Sequence, residues 1–271
     1  MNSLSFDLRL PRRPRQAVGA EPPEREHRAA TLRPQPAVQP RQWQSQLLQL
    51  LRRRLERDGH NDVLINAGPG AGKTLGALLS FERLEREGRL EHLLVFCHRS
   101  SIASQWLAAA ARLGVELQEW QPGLELTDRA GHPAPHGLLI TYQAAGRNLA
   151  LLEQQLQAAA WGPWLAIADE VHHLGMDPEE PEASAWGHAF SRLSADARLR
   201  LGLTGTPFRA DNLAFCAARR IQVHDGQDWV EQIAPDLSVE PRELIAAGDV
   251  RPLEFRFQDG WVDHGRRGEL G

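Results

Sequence analysis

The chain has 271 residues, of which 42% are hydrophobic and 24% are charged, and its formal net charge is −4. These proportions are typical of a globular protein, and they argue against a disordered or collagen-like chain and against a basic protein that coats nucleic acid. The two cysteines exclude a disulfide scaffold and a four-thiolate zinc site, and no apolar run reaches the roughly 18 residues of a membrane span. The first residues carry Arg and Pro where a signal peptide has an apolar run, so we predict a cytoplasmic location.

Residues 1–37 are rich in Pro and Arg and show no apolar periodicity. This composition predicts a flexible arm, and an arm that contacts nucleic acid is the alternative. Order is predicted to begin near Arg41, because apolar residues from Trp43 to Leu55 recur at the spacing of an amphipathic helix.

Short apolar runs then alternate with helical patterns along the chain. Strands are predicted at residues 62–66, 92–96, 138–141, 164–168 and 199–203, and helices at 74–86, 100–113, 148–160 and 239–247. We expect Ser100 or Ser101 to cap the second of these helices. The alternation predicts an α/β fold with a mostly parallel sheet covered by helices on both faces, which binds its ligand at the carboxyl ends of the strands.

A glycine-rich segment, AGPGAGKT at residues 67–74, joins the first predicted strand to a helix. It ends like a Walker A loop, although Ala67 replaces the first glycine of that pattern. Lys73 is the only lysine among 31 basic residues, and a compact ammonium fits a nest of backbone amides that a guanidinium would overfill. A glycine-rich turn with a chance lysine is the alternative. The predicted phosphate-binding residues are Gly68, Gly70, Ala71, Gly72, Lys73 and Thr74.

An acidic pair, Asp169 and Glu170, follows the buried strand predicted at 164–168. Downstream of a phosphate loop, such a pair has a ready mechanism. Asp169 would hold Mg²⁺ through its water shell, the Thr74 hydroxyl would bind the ion, and Glu170 would polarise the attacking water. The alternative is a helix-capping acid with an ordinary acidic neighbour.

These segments together resemble the superfamily 2 helicases and translocases, and specifically their first RecA-like domain. Within that superfamily, TYQ at residues 141–143 and LTGTPFR at residues 203–209 are similar to the branch that holds type III restriction subunits. The order and spacing agree with the family over roughly residues 38–225. The matching segments are RQWQ at 41–44 (Q motif), FCHRSSIASQW at 96–106 (motif Ia), TYQ at 141–143, DEVH at 169–172 (DEAH-type box, with Val where Ala is common) and LTGTPFR at 203–209 (motif III).

The resemblance implies that ATP and Mg²⁺ are bound and gives roles to residues outside the phosphate loop. Gln44 matches the glutamine that reads the adenine edge, which an amide can do because it donates and accepts hydrogen bonds. His172, Thr204 and Thr206 match the segments that link ATP hydrolysis to nucleic-acid binding.

The resemblance also implies nucleic-acid contacts at Arg99, Thr141 and Gln143. For Arg99 the alternative is an ordinary surface arginine, and for Thr141 and Gln143 it is a plain strand end. DNA is the predicted partner, and RNA remains open.

The predicted organisation is an arm at residues 1–37, a RecA-like ATP-binding domain at 38–225, and an extension at 226–271 that leads towards a second RecA-like domain. No second ATPase domain fits into that extension, so the chain is predicted to be the ATPase half of a helicase or translocase, either a fragment or one of two split subunits. The alternative function is a nucleotide-gated module that binds nucleic acid or a partner without motor activity.

Overall fold

The structure is a computed structural model that describes residues 38–56, 61–127, 135–174, 181–205, 219–224, 226 and 229–251. The chain divides into two units, Met1–Gln39 and Pro40–Gly271, and the description below concerns the second. The arm predicted at 1–37 lies outside the described residues.

The described part of the chain alternates strands and helices, as predicted. The strands are β1 (Asp62–Ala67), β2 (His92–Cys97), β3 (Gln118–Glu119), β4 (Gly137–Thr141), β5 (Trp164–Asp169), β6 (Leu199–Thr204), β7 (Arg219–His224), β8 (Trp229–Ala234) and β9 (Leu237–Val239). The helices are α1 (Gln42–Leu55), α2 (Lys73–Arg86), α3 (Ser100–Leu113), α4 (Tyr142–Arg147), α5 (Leu149–Ala159), α6 (Pro181–Leu193) and α7 (Pro241–Ala246).

Seven strands form one sheet in the order β3-β4-β2-β5-β6-β1-β9, and every neighbouring pair in it is parallel. Successive side chains of a strand point to opposite faces, so each central strand supplies two cores. On β2, for example, Leu93 packs into a core with α1, α2 and α3, while Leu94 packs into a second core with α4, α5 and α6. The predicted α/β class, with helices on both faces of a mostly parallel sheet, is confirmed.

Several elements differ from the predictions. Neither Ser100 nor Ser101 caps α3, because the N-cap is Arg99 in an extended conformation and its side chain makes no capping hydrogen bond. The helix predicted at 239–247 begins later, at Pro241, since Leu237–Val239 pairs with β1 as strand β9.

Strands β7 and β8 form a separate antiparallel hairpin. The domain boundary predicted at residue 225 falls between these two strands, and it stays a prediction. None of the helices in the described residues combines the length and apolar character that crossing a membrane requires.

Candidate functional site

Three of the predicted motifs meet at one edge of the sheet. Because all the strands of this sheet are parallel, the carboxyl ends of the neighbouring strands β5, β6 and β1 lie side by side. β1 runs into the glycine-rich loop and α2, β5 ends at Asp169, and β6 ends at Thr204. This edge is where α/β sheets bind their ligands.

The glycine-rich loop adopts the backbone conformation that its glycines allow. Gly70 and Gly72 have φ angles of +76° and +83°, which lie in a left-handed region that residues other than glycine rarely adopt. Gly72 is also the N-cap of α2, so the loop delivers the chain into a helix whose first amides have no intrahelical partner. A turn of this kind at a helix N-terminus favours an anion such as a phosphate.

Helix α1 holds this loop by two hydrogen bonds. The indole Nε1 of Trp43 donates to the carbonyl of Ala71 at 3.0 Å, and Nε2 of Gln44 donates to the carbonyl of Gly72 at 3.0 Å. The other end of the Gln44 amide, Oε1, accepts from the backbone N–H of Arg41 at 2.9 Å. Gln44 is buried and has a structural role here, while its contact with adenine stays a prediction.

The ammonium of Lys73 lies at the meeting point of the three strands. Its Nζ donates to the carbonyl of Ala67 at 3.0 Å and is 3.4 Å from Oε1 of Glu170, and only 11% of the side chain is exposed. A Cβ atom added to Gly205 would lie 2.9 Å from this Nζ and 3.3 Å from the Ala67 carbonyl oxygen. The space around the ammonium therefore depends on the absence of a side chain at position 205.

The two acids of the pair have different environments. Asp169 is buried, and its Oδ2 accepts from Nε1 of Trp106 at 2.7 Å while its Oδ1 accepts from the Glu170 N–H at 3.0 Å. Burial raises the pKa of Asp169 above its ordinary value, and the charge of Glu170 adds to this, whereas the Trp106 hydrogen bond and the Lys73 charge act in the opposite direction. Glu170 has a φ of +51°, faces Lys73 and is more exposed than Asp169.

The predicted coupling residues lie beside Glu170. His172 Nδ1 is 3.1 Å from the Thr204 hydroxyl oxygen and 3.4 Å from Oε2 of Glu170, and the same Oε2 accepts from the Gly205 N–H at 3.4 Å. The end of β6 and the turn after β5 are therefore joined through one imidazole ring. Thr206 lies outside the described residues.

The predicted nucleic-acid residues lie at the same edge, beyond β5 from the phosphate loop. β4 and β2 are neighbours in register, with Cys97 opposite Thr141. Arg99, just after β2, and Gln143, just after β4, are exposed. The Thr141 hydroxyl accepts from the Ala144 N–H at 3.2 Å and caps α4. The structure brings the three residues to one edge, and their contact with nucleic acid stays a prediction.

Several residues of the site had no predicted role. Trp106 fixes Asp169, and the Tyr142 hydroxyl donates to the Asp169 backbone carbonyl at 2.9 Å. The guanidinium of Arg41 donates through Nη1 to the Gly70 carbonyl and through Nη2 to the Asp249 carbonyl, both at 2.8 Å. Trp106, Tyr142 and Arg41 all occur within the recognised motifs, but their partners are distant in sequence.

The residues present fit a nucleotide with Mg²⁺. Among the described residues, no three His, Cys, Asp or Glu side chains form a group that could hold a metal ion by themselves. Mg²⁺ suits such a site, because proteins hold it with one or two carboxylates while water and substrate phosphates complete its shell. Asp169 and the Thr74 hydroxyl offer oxygen atoms of the kind that hold Mg²⁺, directly or through water, and the Lys73 ammonium at the N-terminus of α2 suits a phosphate.

We expect the substitution Gly205→Ala to weaken ATP binding about 10-fold, because the new Cβ would push Lys73 away from the phosphate position. Titration with a fluorescent ATP analogue in the presence of Mg²⁺ measures this. The matched control is Gly146→Ala in α4, whose Cβ would make only an ordinary 3.6 Å contact with Trp186. Equal ATP affinities in the two variants would contradict the importance of this space.

One family model and several curated proteins match this chain. The family model described as the type III restriction enzyme, res subunit, matches residues 37–209. An uncharacterized protein of Mycobacterium tuberculosis (strain ATCC 25618 / H37Rv) is 31% identical over 205 residues, which cover 74% of this chain and 32% of that protein. A putative DNA 3′–5′ helicase of Halobacterium salinarum is 28% identical over 207 residues, which cover 74% of this chain and 30% of that protein. The chain thus spans about a third of the length of these curated relatives.

Solved structures also resemble the chain. The SWI2/SNF2 ATPase core of Sulfolobus solfataricus in complex with dsDNA has a TM-score of 0.47 and 20% identity, and the match covers 63% of this chain and 32% of that one. A nuclease-deletion mutant of the type ISP restriction-modification enzyme LlaGI, in complex with a DNA substrate mimic, has a TM-score of 0.49 and 12% identity, with 78% and 21% covered.

Proposed function

Because this chain belongs to the family of the type III restriction enzyme, res subunit, we propose that it is the ATP-hydrolysing half of a helicase or translocase. The nucleic acid on which it acts is DNA, and it acts in the cytoplasm. The observation that carries the proposal is the position of Lys73. The only lysine of the chain lies at the N-terminus of α2, between the end of β1 and Glu170. A phosphate-binding ammonium and a water-activating carboxylate are thus adjacent.

The residues of the site have separate tasks in this reaction. The loop amides and Lys73 bind the β- and γ-phosphates, and Thr74 and Asp169 hold Mg²⁺, which when bound supplies positive charge against the phosphate oxygens. In the structure Lys73 is paired with Glu170. Phosphate binding offers Lys73 a second anionic partner, and the Glu170 carboxylate is then available to orient water and accept its proton.

The proposal includes a second RecA-like domain that completes the ATP site. In motors of this kind an arginine supplied by another domain stabilises charge on the transferred phosphoryl group, and it accelerates hydrolysis by about 10³–10⁵-fold. Arg209, the arginine of the LTGTPFR segment, lies outside the described residues, and we assign it no such role.

The experiment that tests the function measures ATP binding and steady-state hydrolysis by the 271-residue chain with single-stranded DNA, duplex DNA, RNA or no nucleic acid. We expect ATP–Mg²⁺ to bind and hydrolysis to be slow, with acceleration by about 10³-fold or more when a second RecA-like domain is present. A chain that does not bind ATP contradicts the ATPase assignment. Fast, DNA-stimulated turnover by the 271 residues alone contradicts the need for a second domain.

A further inference from the structure

Two histidine rings from neighbouring strands stack at the edge of the sheet that carries the site. His98 directly follows β2, and His173 ends the single 3-10 turn that follows β5. Their ring centroids are 3.8 Å apart and their planes differ by 11°, which is a face-to-face contact. β2 and β5 are paired in the sheet up to Phe96 and Ala168, so the stack continues the lateral contact of these strands beyond their ends. We call this pair the histidine stack.

One side of the histidine stack reaches the hydrolysis site. The ring of His173 lies 4.3 Å from the ring of the preceding His172. His172 in turn approaches both Oε2 of Glu170 and the hydroxyl of Thr204. The His172 ring thus connects Glu170 and Thr204 to the histidine stack.

The other side of the histidine stack reaches the predicted nucleic-acid surface. His98 immediately precedes Arg99, the N-cap of α3, whose carbonyl accepts the N–H groups of Ile102 and Ala103 at 3.0 Å. The ring of His98 also makes an edge contact with Trp186 of α6, at 5.5 Å between centroids. Within the described residues, Nδ1 of His98 is buried without a hydrogen-bond partner. The described contacts of the His98 side chain are therefore ring contacts, and they lie one residue before the start of α3.

Burial, more than the nearby charges, favours neutral rings in the histidine stack. Burial, together with His172 and His98, lowers the pKa of His173 to about 4, with Glu170 acting in the opposite direction and Arg99 in the same one. Burial lowers the pKa of His98 as well, and Arg99 and His172 add to this. At neutral pH the two rings therefore stack without repulsion between like charges.

We infer that His98 and His173 are positioning residues that couple the nucleotide site at Glu170 to the nucleic-acid surface at Arg99. This inference rests on the proposed function, and it identifies the histidine stack as the contact that links nucleotide binding to nucleic-acid binding. The His172–Thr204 contact joins β5 to β6, and the histidine stack extends the connection from β5 to β2. Nucleotide binding that shifts Glu170 would then change the placement of Arg99, and by linkage nucleic acid bound at Arg99 would change the affinity for nucleotide.

The test measures one coupling ratio, the affinity for a fluorescent single-stranded DNA oligonucleotide with Mg²⁺ and a non-hydrolysable ATP analogue divided by the affinity without them. We expect a ratio of about 5 or more, or its inverse, in the unmodified chain. His98→Ala and His173→Ala should each bring the ratio close to 1 while leaving the affinity for each ligand alone nearly unchanged. His98→Phe, which keeps a stacking ring, should preserve the ratio, and the double alanine variant should add nothing to the single ones.

His92→Ala is the matched control. His92 is the first residue of β2, the strand that His98 follows, and it also stacks on a ring, that of Trp161 at 4.9 Å and 10°. Its Nδ1 is also unpartnered among the described residues. It starts the strand, at the opposite edge from the site. His92→Ala should leave the ratio unchanged, and thermal unfolding of each variant confirms that it is folded. If His98→Ala does not fold, His173→Ala removes the same contact from the other ring.

Three results overturn the inference. These are an unchanged ratio in the alanine variants that fold, an equal loss of coupling in His92→Ala, and a ratio of 1 in the unmodified chain while the ATP analogue binds. The last of these leaves the ATPase proposal standing. A chain that fails to bind the analogue at all contradicts the proposed function itself, and the inference falls with it.

Discussion

Replacing Lys73 with alanine is expected to weaken the binding of ATP–Mg²⁺ about 10- to 100-fold, because it removes the one ammonium that can donate charged hydrogen bonds to the β- and γ-phosphates. The ammonium is largely enclosed, lies close to Glu170 and donates to the Ala67 carbonyl. Isothermal titration with a non-hydrolysable ATP analogue measures the loss.

The substitution Lys73→Arg tests whether ATP binding depends on the shape of the cation at this position as well as on its charge. The guanidinium keeps the positive charge, but it is planar and larger than the ammonium, which already lies 3.0 Å from the Ala67 carbonyl oxygen and close to Gly205. We therefore expect Lys73→Arg to bind ATP nearly as weakly as Lys73→Ala. The matched control is Arg86→Ala, which removes a mostly exposed cation from the other end of the same helix and should leave ATP affinity unchanged.

The composition of the chain supplies a second test of the same residue. Since Lys73 is the only lysine, an amine-reactive acylating reagent can modify only its Nζ and the N-terminal amine. ATP–Mg²⁺ should protect the first of these and not the second, as read from peptide masses. Equal modification of Lys73 with and without ATP, or full ATP affinity in Lys73→Ala, would contradict the assignment of this residue.

The phosphate loop and the acidic pair could be predicted because each is recognisable from residues that are close together in the sequence. A strand, a glycine-rich turn and a helix follow one another within residues 62–86, and Asp169 and Glu170 come directly after an apolar run. Parallel strands bring such ends to one edge of the sheet whatever lies between them in sequence. The family prediction made from these segments is confirmed by the match over residues 37–209. The chemical roles of the individual residues remain predictions.

The contacts that position the site could not be predicted, because they join residues that are distant in sequence. Trp106 binds Asp169 across 63 residues, and Arg41 binds Asp249 across 208. An indole at helical spacing predicts core packing, and nothing local indicates that its N–H is directed at a buried carboxylate. The histidine stack was missed for the same reason, since adjacency of His172 and His173 says nothing about a ring that follows another strand.

Short elements were missed for a different reason. β3 has two residues, Gln118–Glu119, which is too short for any periodicity, and the three-residue strand β9 ends at Val239, where the sequence predicts the start of a helix. Val239 is apolar and fits either pattern. Its pairing with Ala67 beside the phosphate loop depends on the sheet as a whole.

Glu170→Gln is expected to slow ATP hydrolysis about 10²- to 10⁴-fold while leaving ATP binding intact or slightly stronger. The amide keeps the shape of the side chain, and its oxygen can still accept a hydrogen bond from Lys73, whose Nζ lies 3.4 Å from Oε1 of Glu170 in the unmodified chain. It cannot accept a proton from water, and it removes a negative charge beside the phosphate position. The measurement is phosphate release under single-turnover conditions, with the second RecA-like domain present so that the unmodified rate is fast enough to show the loss.

The matched control for this substitution is Glu153→Gln, which neutralises a carboxylate of α5 that is paired with Arg192 rather than with Lys73. It should hydrolyse ATP at the unmodified rate. The comparison also separates the two functions predicted for the chain. A motor domain loses turnover in Glu170→Gln while it still binds nucleotide, because its task depends on the chemistry that this carboxylate performs. A nucleotide-gated binding module would bind nucleic acid equally well with glutamate or glutamine at position 170, because binding alone does not require a proton acceptor beside Lys73.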